Sequence, residues 1–337
     1  MTTASAATPE SLAHRVYRLL SDRHFHSGTE LAARCEVSRS AVWKAIAGLR
    51  KLGVVVDSVE RRGYRLPQAT ALLDAQVIRA MLPPAVAGRL RHAGAVWSTG
   101  STNADLMART ELPPGRFDFL AAEYQSAGRG RRARSWLAPP GGAICLSLGW
   151  SFASLPASVG ALSLAIGVCA LRALRSCAIA GVELKWPNDL VSGGAKLGGI
   201  LAELRAEAAG PAYVVIGIGL NVVLGPALHE QIKFSGTQAT DLAALTSTSV
   251  DRNRIAAALV AEIVAGLQQF EQQGFAGFID EWRAADALAG KPVRISLDAS
   301  SVSGHARGID ANGALCVQTR EGLQRLTAGD ASVRAAA

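Results

Sequence analysis

Between Gly128 and Arg134 four arginines, Arg129, Arg131, Arg132 and Arg134, are interleaved with glycine inside the run Glu123-Tyr124-Gln125-Ser126-Ala127-Gly128-Arg129-Gly130-Arg131-Arg132-Ala133-Arg134-Ser135-Trp136. Glycine lets backbone amides come close to a ligand. Guanidinium groups grip phosphate or carboxylate oxygens two at a time. Such a loop is suited to cradling an anion. It is not a dinucleotide-binding fingerprint: Ala133 stands where the last glycine belongs, and no helix with a ribose-binding acid about 20 residues on follows it. No Walker sequence occurs in the chain. On the arginines alone, a solvated basic loop remains open.

Four shorter motifs accompany the loop: Ser101-Thr102-Asn103, Lys185-Trp186-Pro187-Asn188-Asp189, Lys196-Leu197-Gly198-Gly199-Ile200 and Gly217-Ile218-Gly219-Leu220-Asn221. Each is weak by itself. A Ser-Thr-Asn triplet often does no more than cap a helix, and Lys-Leu-Gly-Gly is often a turn.

These residues must be positioned by something larger. The 337 residues suffice for two or three domains, with 49% hydrophobic and 18% charged residues. Apolar strands are expected at 117–123, 143–150, 182–185, 198–205 and 212–222. Long helices are expected at 158–175 and 251–273, the latter with Ile255, Leu259, Ile263, Leu267 and Phe270 on one face and Asp251 as N-cap. Residues 135–171 carry no charge, but prolines, glycines and serines interrupt them, so a buried strand and helix fit better than a membrane span. Beyond Gly290, strands are expected at 293–297, 303–309 and 314–319, with a hairpin turn at Asn312-Gly313.

Net charge is +8, and residues 1–66 hold 11 Lys/Arg against 6 Asp/Glu, so the excess lies at the N-terminus and points to anionic partners. Residues 1–10 read as a disordered tail. Three short helices follow: 11–20, one from Ser27-Gly28 to about Cys35, and one from Ser38 with Val42, Ile46 and Leu49 on one face. Strands at 54–56 and 64–66 flank a turn at 60–63. That order describes a winged helix-turn-helix. Its third helix offers Ser38, Arg39, Ser40, Trp43 and Lys44 to a DNA groove, and its wing offers Arg61, Arg62 and Arg65 to phosphates. A winged fold used for protein contact is the alternative. The five cysteines form no C-x-x-C pair, and no signal peptide is visible, so free thiols in a reducing cytoplasm are expected, without a zinc site and away from any membrane.

In this order and spacing, the motifs from residue 93 to the C-terminus resemble the biotin–protein ligases. With Phe25-His26-Ser27-Gly28, Ser38-Arg39-Ser40-Ala41-Val42 and Gly63-Tyr64-Arg65-Leu66, the chain is similar to the class whose members also repress the biotin operon. The resemblance implies a multidomain α/β chain. Residues 1–66 would form the winged DNA-binding domain and 67–92 a linker with helical content. Residues 93–287 would form an α+β ligase domain with a mixed sheet, and 288–337 a small SH3-like β-barrel. It implies ATP-dependent formation of biotinyl-5'-AMP and transfer of biotin to a lysine of a biotin carboxyl carrier protein. A homodimer holding the adenylate would bind operator DNA.

By the same resemblance, Ser101, Thr102, Asn103 and Gln125 would bind the biotin ureido ring, and Arg129, Gly130 and Arg131 the ligand. Arg132, Arg134, Trp136, Lys185, Asn188 and Asn221 would serve ATP or the adenylate. Lys196 would meet the biotin carboxylate and the α-phosphate. Lys196, Arg129, Arg131 and Asp189 would be catalytic, with Asp189 also placed to help hold the Mg2+ that accompanies ATP. Ala133 and Ser135 depart from a glycine and a basic residue common in the family, and 222–248 matches it poorly.

The implied chemistry suits these residues. A carboxylate is a poor electrophile, and joining it to AMP supplies a leaving group. Both partners are anions, so positive charge must bring them together. Positioning and charge neutralisation need no protein nucleophile, consistent with six scattered histidines. A lipoate-type ligase of the same fold, and a ligand-sensing transcription factor without ligase activity, are the competing readings.

Overall fold

The computed structural model describes residues 10–68, 71–109, 112–206, 210–234, 238–296, 301–327 and 332–335. Most of the expected N-terminal tail (residues 1–9) and Leu297 of an expected strand lie outside them.

The chain begins with α1 (Leu12–Leu20), α2 (Gly28–Arg34) and α3 (Arg39–Lys51). Each is started by a serine, Ser11, Ser27 or Ser38, whose side chain accepts from a backbone N–H of the first turn. Gly53 (φ +88°) follows the end of α3 in the left-handed conformation expected there. Val16, Leu20, Leu31, Val42, Ile46 and Leu49 close a small core of their own. The wing is β1 (Asp57–Val59) against β2 (Gly63–Arg65). The first wing strand thus lies three residues beyond the expected Val54–Val56. Val54 and Val56 are instead buried in the small core, so their hydrophobicity reflects packing and not strand pairing.

Two short helices, α4 (Ala75–Ala80) and α5 (Pro84–Ala87), occupy the segment read as a linker. Their Ile78 and Val86, with Leu73 and Leu82, belong to the main core. The central unit is a seven-stranded mixed sheet, completed by α6 (Thr102–Met107) and α7 (Leu162–Ser176). Its strands are β3 (Leu90–Thr99), β4 (Phe117–Gln125), β5 (Ala143–Phe152), β6 (Glu183–Lys185), β7 (Asp189–Ser192), β8 (Ala195–Ala206) and β9 (Ala212–Asn221), in the order β3-β4-β5-β9-β8-β7-β6. Only the β3–β4 pair is parallel. After β9 come α8 (Pro226–Phe234), α9 (Arg252–Gln273) and α10 (Ile279–Ala284).

Side chains alternate across a strand. On β5 and β9 this sends Ile144, Leu146, Leu148, Ile216, Ile218 and Leu220 into the core with α7 and α9. Burying one such side chain contributes roughly 1.5–3 kcal/mol. The same alternation leaves Ser147, Gly217 and Gly219 on the opposite face, the first two beside α6 and Gly219 beneath Trp136. α7 and the turn before it are apolar enough by composition to cross a membrane, but most of that stretch is buried in the fold. The C-terminal unit, expected as a small barrel, is a five-stranded antiparallel sheet of β10 (Pro292–Ser296), β11 (Ser301–Ile309), β12 (Leu315–Thr319), β13 (Gly322–Leu326) and β14 (Ser332–Ala335). Asp310 holds the β11–β12 turn by accepting from the N–H groups of Asn312 and Ala314.

Candidate active site and nucleic-acid interface

A cavity of about 780 Å3 opens on the glycine-bearing face of the sheet, within the range of small-molecule sites. All fifteen ligand-binding and catalytic positions expected in the central unit line it: Ser101, Thr102, Asn103, Gln125, Arg129, Gly130, Arg131, Arg132, Arg134, Trp136, Lys185, Asn188, Asp189, Lys196 and Asn221. They come from segments far apart in sequence, and the mixed sheet is what brings them together.

One end is a hydrogen-bonded relay. Gln125 Oε1 accepts from the Thr102 N–H at 2.8 Å. The Thr102 and Ser147 hydroxyls are 2.6 Å apart, and Ser147 donates to Asn103 Oδ1 at 2.5 Å. Asn103 Nδ2 donates to Glu203 Oε2 at 2.8 Å and to the Leu201 carbonyl at 3.3 Å. Thr102, Asn103 and Ser147 are buried, so these polar groups satisfy one another where water cannot. Gly217 makes room for the relay: a Cβ there would overlap the Asn103 amide.

The arginine loop leaves β4 and folds back on itself before β5. Arg129 bridges to Ser135, Gly130 N–H donates to Arg134 O at 2.7 Å, and Trp136 N–H donates to Gly128 O at 2.8 Å. Its turn places Arg132 (φ +56°) and Ala133 (φ +54°) in succession in the left-handed region, which explains physically why glycine would be easier at 133. Arg129 reaches Glu203 at 3.1 Å, and Arg132 donates to the Ser296 carbonyl of the C-terminal sheet at 3.4 Å. The Trp136 indole covers Gly219, where a Cβ would overlap it.

The other end is cationic. Lys196 Nζ donates to Asp189 Oδ1 at 2.6 Å. Asp189 starts β7 after the Lys185–Asn188 turn, whose Asn188 exchanges hydrogen bonds with Ile200. Asn221 Nδ2 donates to the carbonyls of Thr240 and Lys196, and Lys196 exchanges backbone bonds with Gln238 and Thr240. Asn221 thus ties a strap from the poorly matching 222–248 segment to the site.

Sequence reasoning missed Ser147 and Glu203, because single polar residues in apolar strands carry no motif. It also missed a buried ion pair. Arg252 meets Glu123 at 2.8 and 2.9 Å, and Glu123 also accepts from the N–H groups of Leu73 and Gly141.

On the winged unit Ser38, Arg39, Ser40, Trp43 and Lys44 are all exposed, Trp43 to 60%. Ser38 also caps α3 through the Ala41 N–H and bonds to Ser40. Arg61 and Arg62 are exposed on the wing. Arg62 lies 4.3 Å above the Phe25 ring, while Arg65 pairs with Asp57 at 2.6 Å.

Comparison with known proteins matches three family models in series: an HTH domain over residues 13–65, the Biotin/lipoate A/B protein ligase family over 96–221, and the Biotin protein ligase C terminal domain over 289–334. The bifunctional ligase/repressor BirA of Salmonella typhimurium is 37% identical, over 94% of this chain and 96% of that protein. The BirA of Escherichia coli is 36% identical over 96% and 97%. The chain belongs to the biotin protein ligase family. Among solved structures it resembles the ligase of Aquifex aeolicus in complex with biotin and ATP, with TM-score 0.60 and 26% identity over 74% of this chain and 99% of that one. Within this family it has the arrangement of the ligase/repressors, with a helix-turn-helix domain ahead of the ligase and C-terminal units.

Proposed function

We propose that this biotin protein ligase joins biotin to AMP in the cavity, passes it to a lysine of a biotin carboxyl carrier protein, and represses transcription through its winged domain. The observation that carries the reading is the polarity of the cavity. A buried relay of hydroxyls and amides lies at one end and Lys196 with the arginine loop at the other. A cyclic urea offers one acceptor and two donors to the first end, and a carboxylate meets the second. The apolar acyl chain of lipoate has no donors or acceptors to exchange hydrogen bonds with the relay, so this end of the cavity gives it no polar contact.

In the first step a biotin carboxylate oxygen attacks the α-phosphorus of ATP, and pyrophosphate leaves as the α–β bridging bond breaks. Lys196, Arg129 and Arg131 offset the gathered negative charge. Arg132, Arg134, Trp136, Lys185, Asn188 and Asn221 hold the nucleotide end. The oxygen donors of Asp189 and Asn188 fit a hard cation and would hold Mg2+, which would supply further charge neutralisation to the phosphates. In the second step the neutral amine of the carrier lysine attacks the acyl carbon, AMP leaves, and the amine gives up a proton, with Asp189 as the candidate acceptor. The arginine loop keeps water from the acyl-phosphate meanwhile.

On the DNA side, Ser38, Arg39, Ser40, Trp43 and Lys44 read the groove while Arg61 and Arg62 meet phosphates. A homodimer formed with the adenylate bound presents two such helices to an operator. The five free thiols suit work in the cytoplasm. Biotin-dependent exchange of pyrophosphate into ATP tests the reading. Biotin should support exchange and lipoate should not; equal exchange with lipoate, or none with biotin, contradicts it.

A further inference from the structure

We propose that Glu203 is a positioning residue that fastens the arginine loop to the ureido end of the pocket, and so governs how long the reactive intermediate is kept from water. The inference rests on the reading of this cavity as a biotinyl-adenylate site. Glu203 lies on β8, in no recognised motif. Its Oε2 accepts from two partners at once: Asn103 Nδ2 at 2.8 Å and Arg129 Nη2 at 3.1 Å. Asn103 belongs to the pocket wall and Arg129 to the loop. One carboxylate oxygen therefore joins the fixed part of the site to the part that must open.

The chemistry of the group makes this more than a contact. A carboxylate only accepts. The Asn103 amide nitrogen turns toward it, so Oδ1 faces Ser147, whose hydroxyl donates to it. With its proton given to Asn103, the Ser147 hydroxyl is left to accept from the Thr102 hydroxyl, so the order set by Glu203 reaches Thr102. Arg129 has five N–H donors in a planar fork. Giving one to Glu203 fixes the plane of the fork and leaves the others for ligand oxygens. The side chain of Glu203 is 26% exposed, so its bond to Arg129 can break and re-form as the loop moves, unlike the fully buried Glu123–Arg252 pair.

The consequence is read in leakage. Water attacking the acyl carbon of the intermediate releases biotin and AMP in solution, whereas the carrier lysine captures the biotin. The measured quantity is the ratio of AMP released without carrier to biotin transferred with carrier, using biotin and ATP throughout. Both rates come from folded enzyme only, so the ratio is insensitive to partial unfolding of a variant. Glu203→Gln keeps size and removes charge, and should raise the ratio about tenfold, the worth of one charge-assisted hydrogen bond. Arg129→Gln should raise it as well. The double variant should leak no more than Arg129→Gln alone, because both changes undo one link. An unchanged ratio in Glu203→Gln, or leakage that multiplies in the double variant, overturns the proposal. A wild-type protein that makes no AMP from biotin and ATP would instead defeat the underlying assignment.

Discussion

Lys196 and Asp189 face one another across 2.6 Å at the cationic end of the cavity, and the account gives Lys196 the charge that draws carboxylate and α-phosphate together. Lys196→Ala should lower biotin-dependent pyrophosphate exchange by roughly 10²–10³-fold, the scale of losing one preorganised charge donor, with the melting temperature little changed because the side chain is 30% exposed. Exchange within a few-fold of wild type would remove Lys196 from the chemistry. In the loop, Arg131→Gly should loosen the cover and release biotinyl-adenylate into solution; retention equal to wild type would contradict that. Ala133→Gly should act the other way. A left-handed alanine costs about 1 kcal/mol relative to glycine, so glycine favours the folded-back turn and should slow leakage several-fold, measured as AMP release without carrier. At this scale the arginines, the Ser-Thr-Asn triplet and the lysines were legible from residue type and order. Ser147 and Glu203 were not, because their role comes from the register of β5 and β8 against β9 and not from neighbours in sequence.

Among the elements, α2 carries an unusual charge arrangement. His26, buried at the junction of α2 and the wing, lies between Glu30 at 2.7 Å and Asp22 at 2.9 Å. Burial opposes its charge, yet the bonds to Glu30 and Asp22 prevail and raise its pKa above the usual 6.5. The bond to His26 lowers Glu30, and bonds to His24 and His26 outweigh burial to lower Asp22. The histidine's contribution is complete below about 6.5 and lost as pH rises through its raised value; the carboxylates' contribution is lost only in acid. The gap in melting temperature between wild type and His26→Gln should therefore be wider at about pH 6 than at about pH 8, and a gap that grows with pH would contradict the sign. Asp251, whose side chain accepts from the Arg254 N–H at 3.1 Å, should cost about 1 kcal/mol of stability when changed to Ala.

Elements with a clean period, such as α3 and α9, were readable to within a residue or two. β3 was not, because its burial alternates only weakly along an edge strand, and β7, four residues long, offers too little pattern. The helical content expected of 67–92 takes the form of α4 and α5, whose apolar residues are too few for a periodic signal yet complete the main core.

For the whole molecule, the three-part order was visible in composition and turn signals, but the contacts between parts were not. Trp97 of β3 enters the winged unit, stacking on His14 at 4.6 Å and meeting Tyr17 at 5.4 Å. Such contacts join aromatic residues some 80 positions apart, which no local pattern announces. They give the ligase unit a physical hold on the winged helix, the route by which the proposed ligand-linked dimer would be felt at DNA. Operator footprints should be stronger with biotin and ATP than without, and equal protection would remove that link. The most direct test of the central claim is transfer itself: purified protein, ATP, biotin and a biotin carboxyl carrier domain. The account predicts ATP-dependent attachment of biotin to one carrier lysine and none of lipoate. A carrier left unlabelled by active, folded protein, or labelled equally with lipoate, would contradict it.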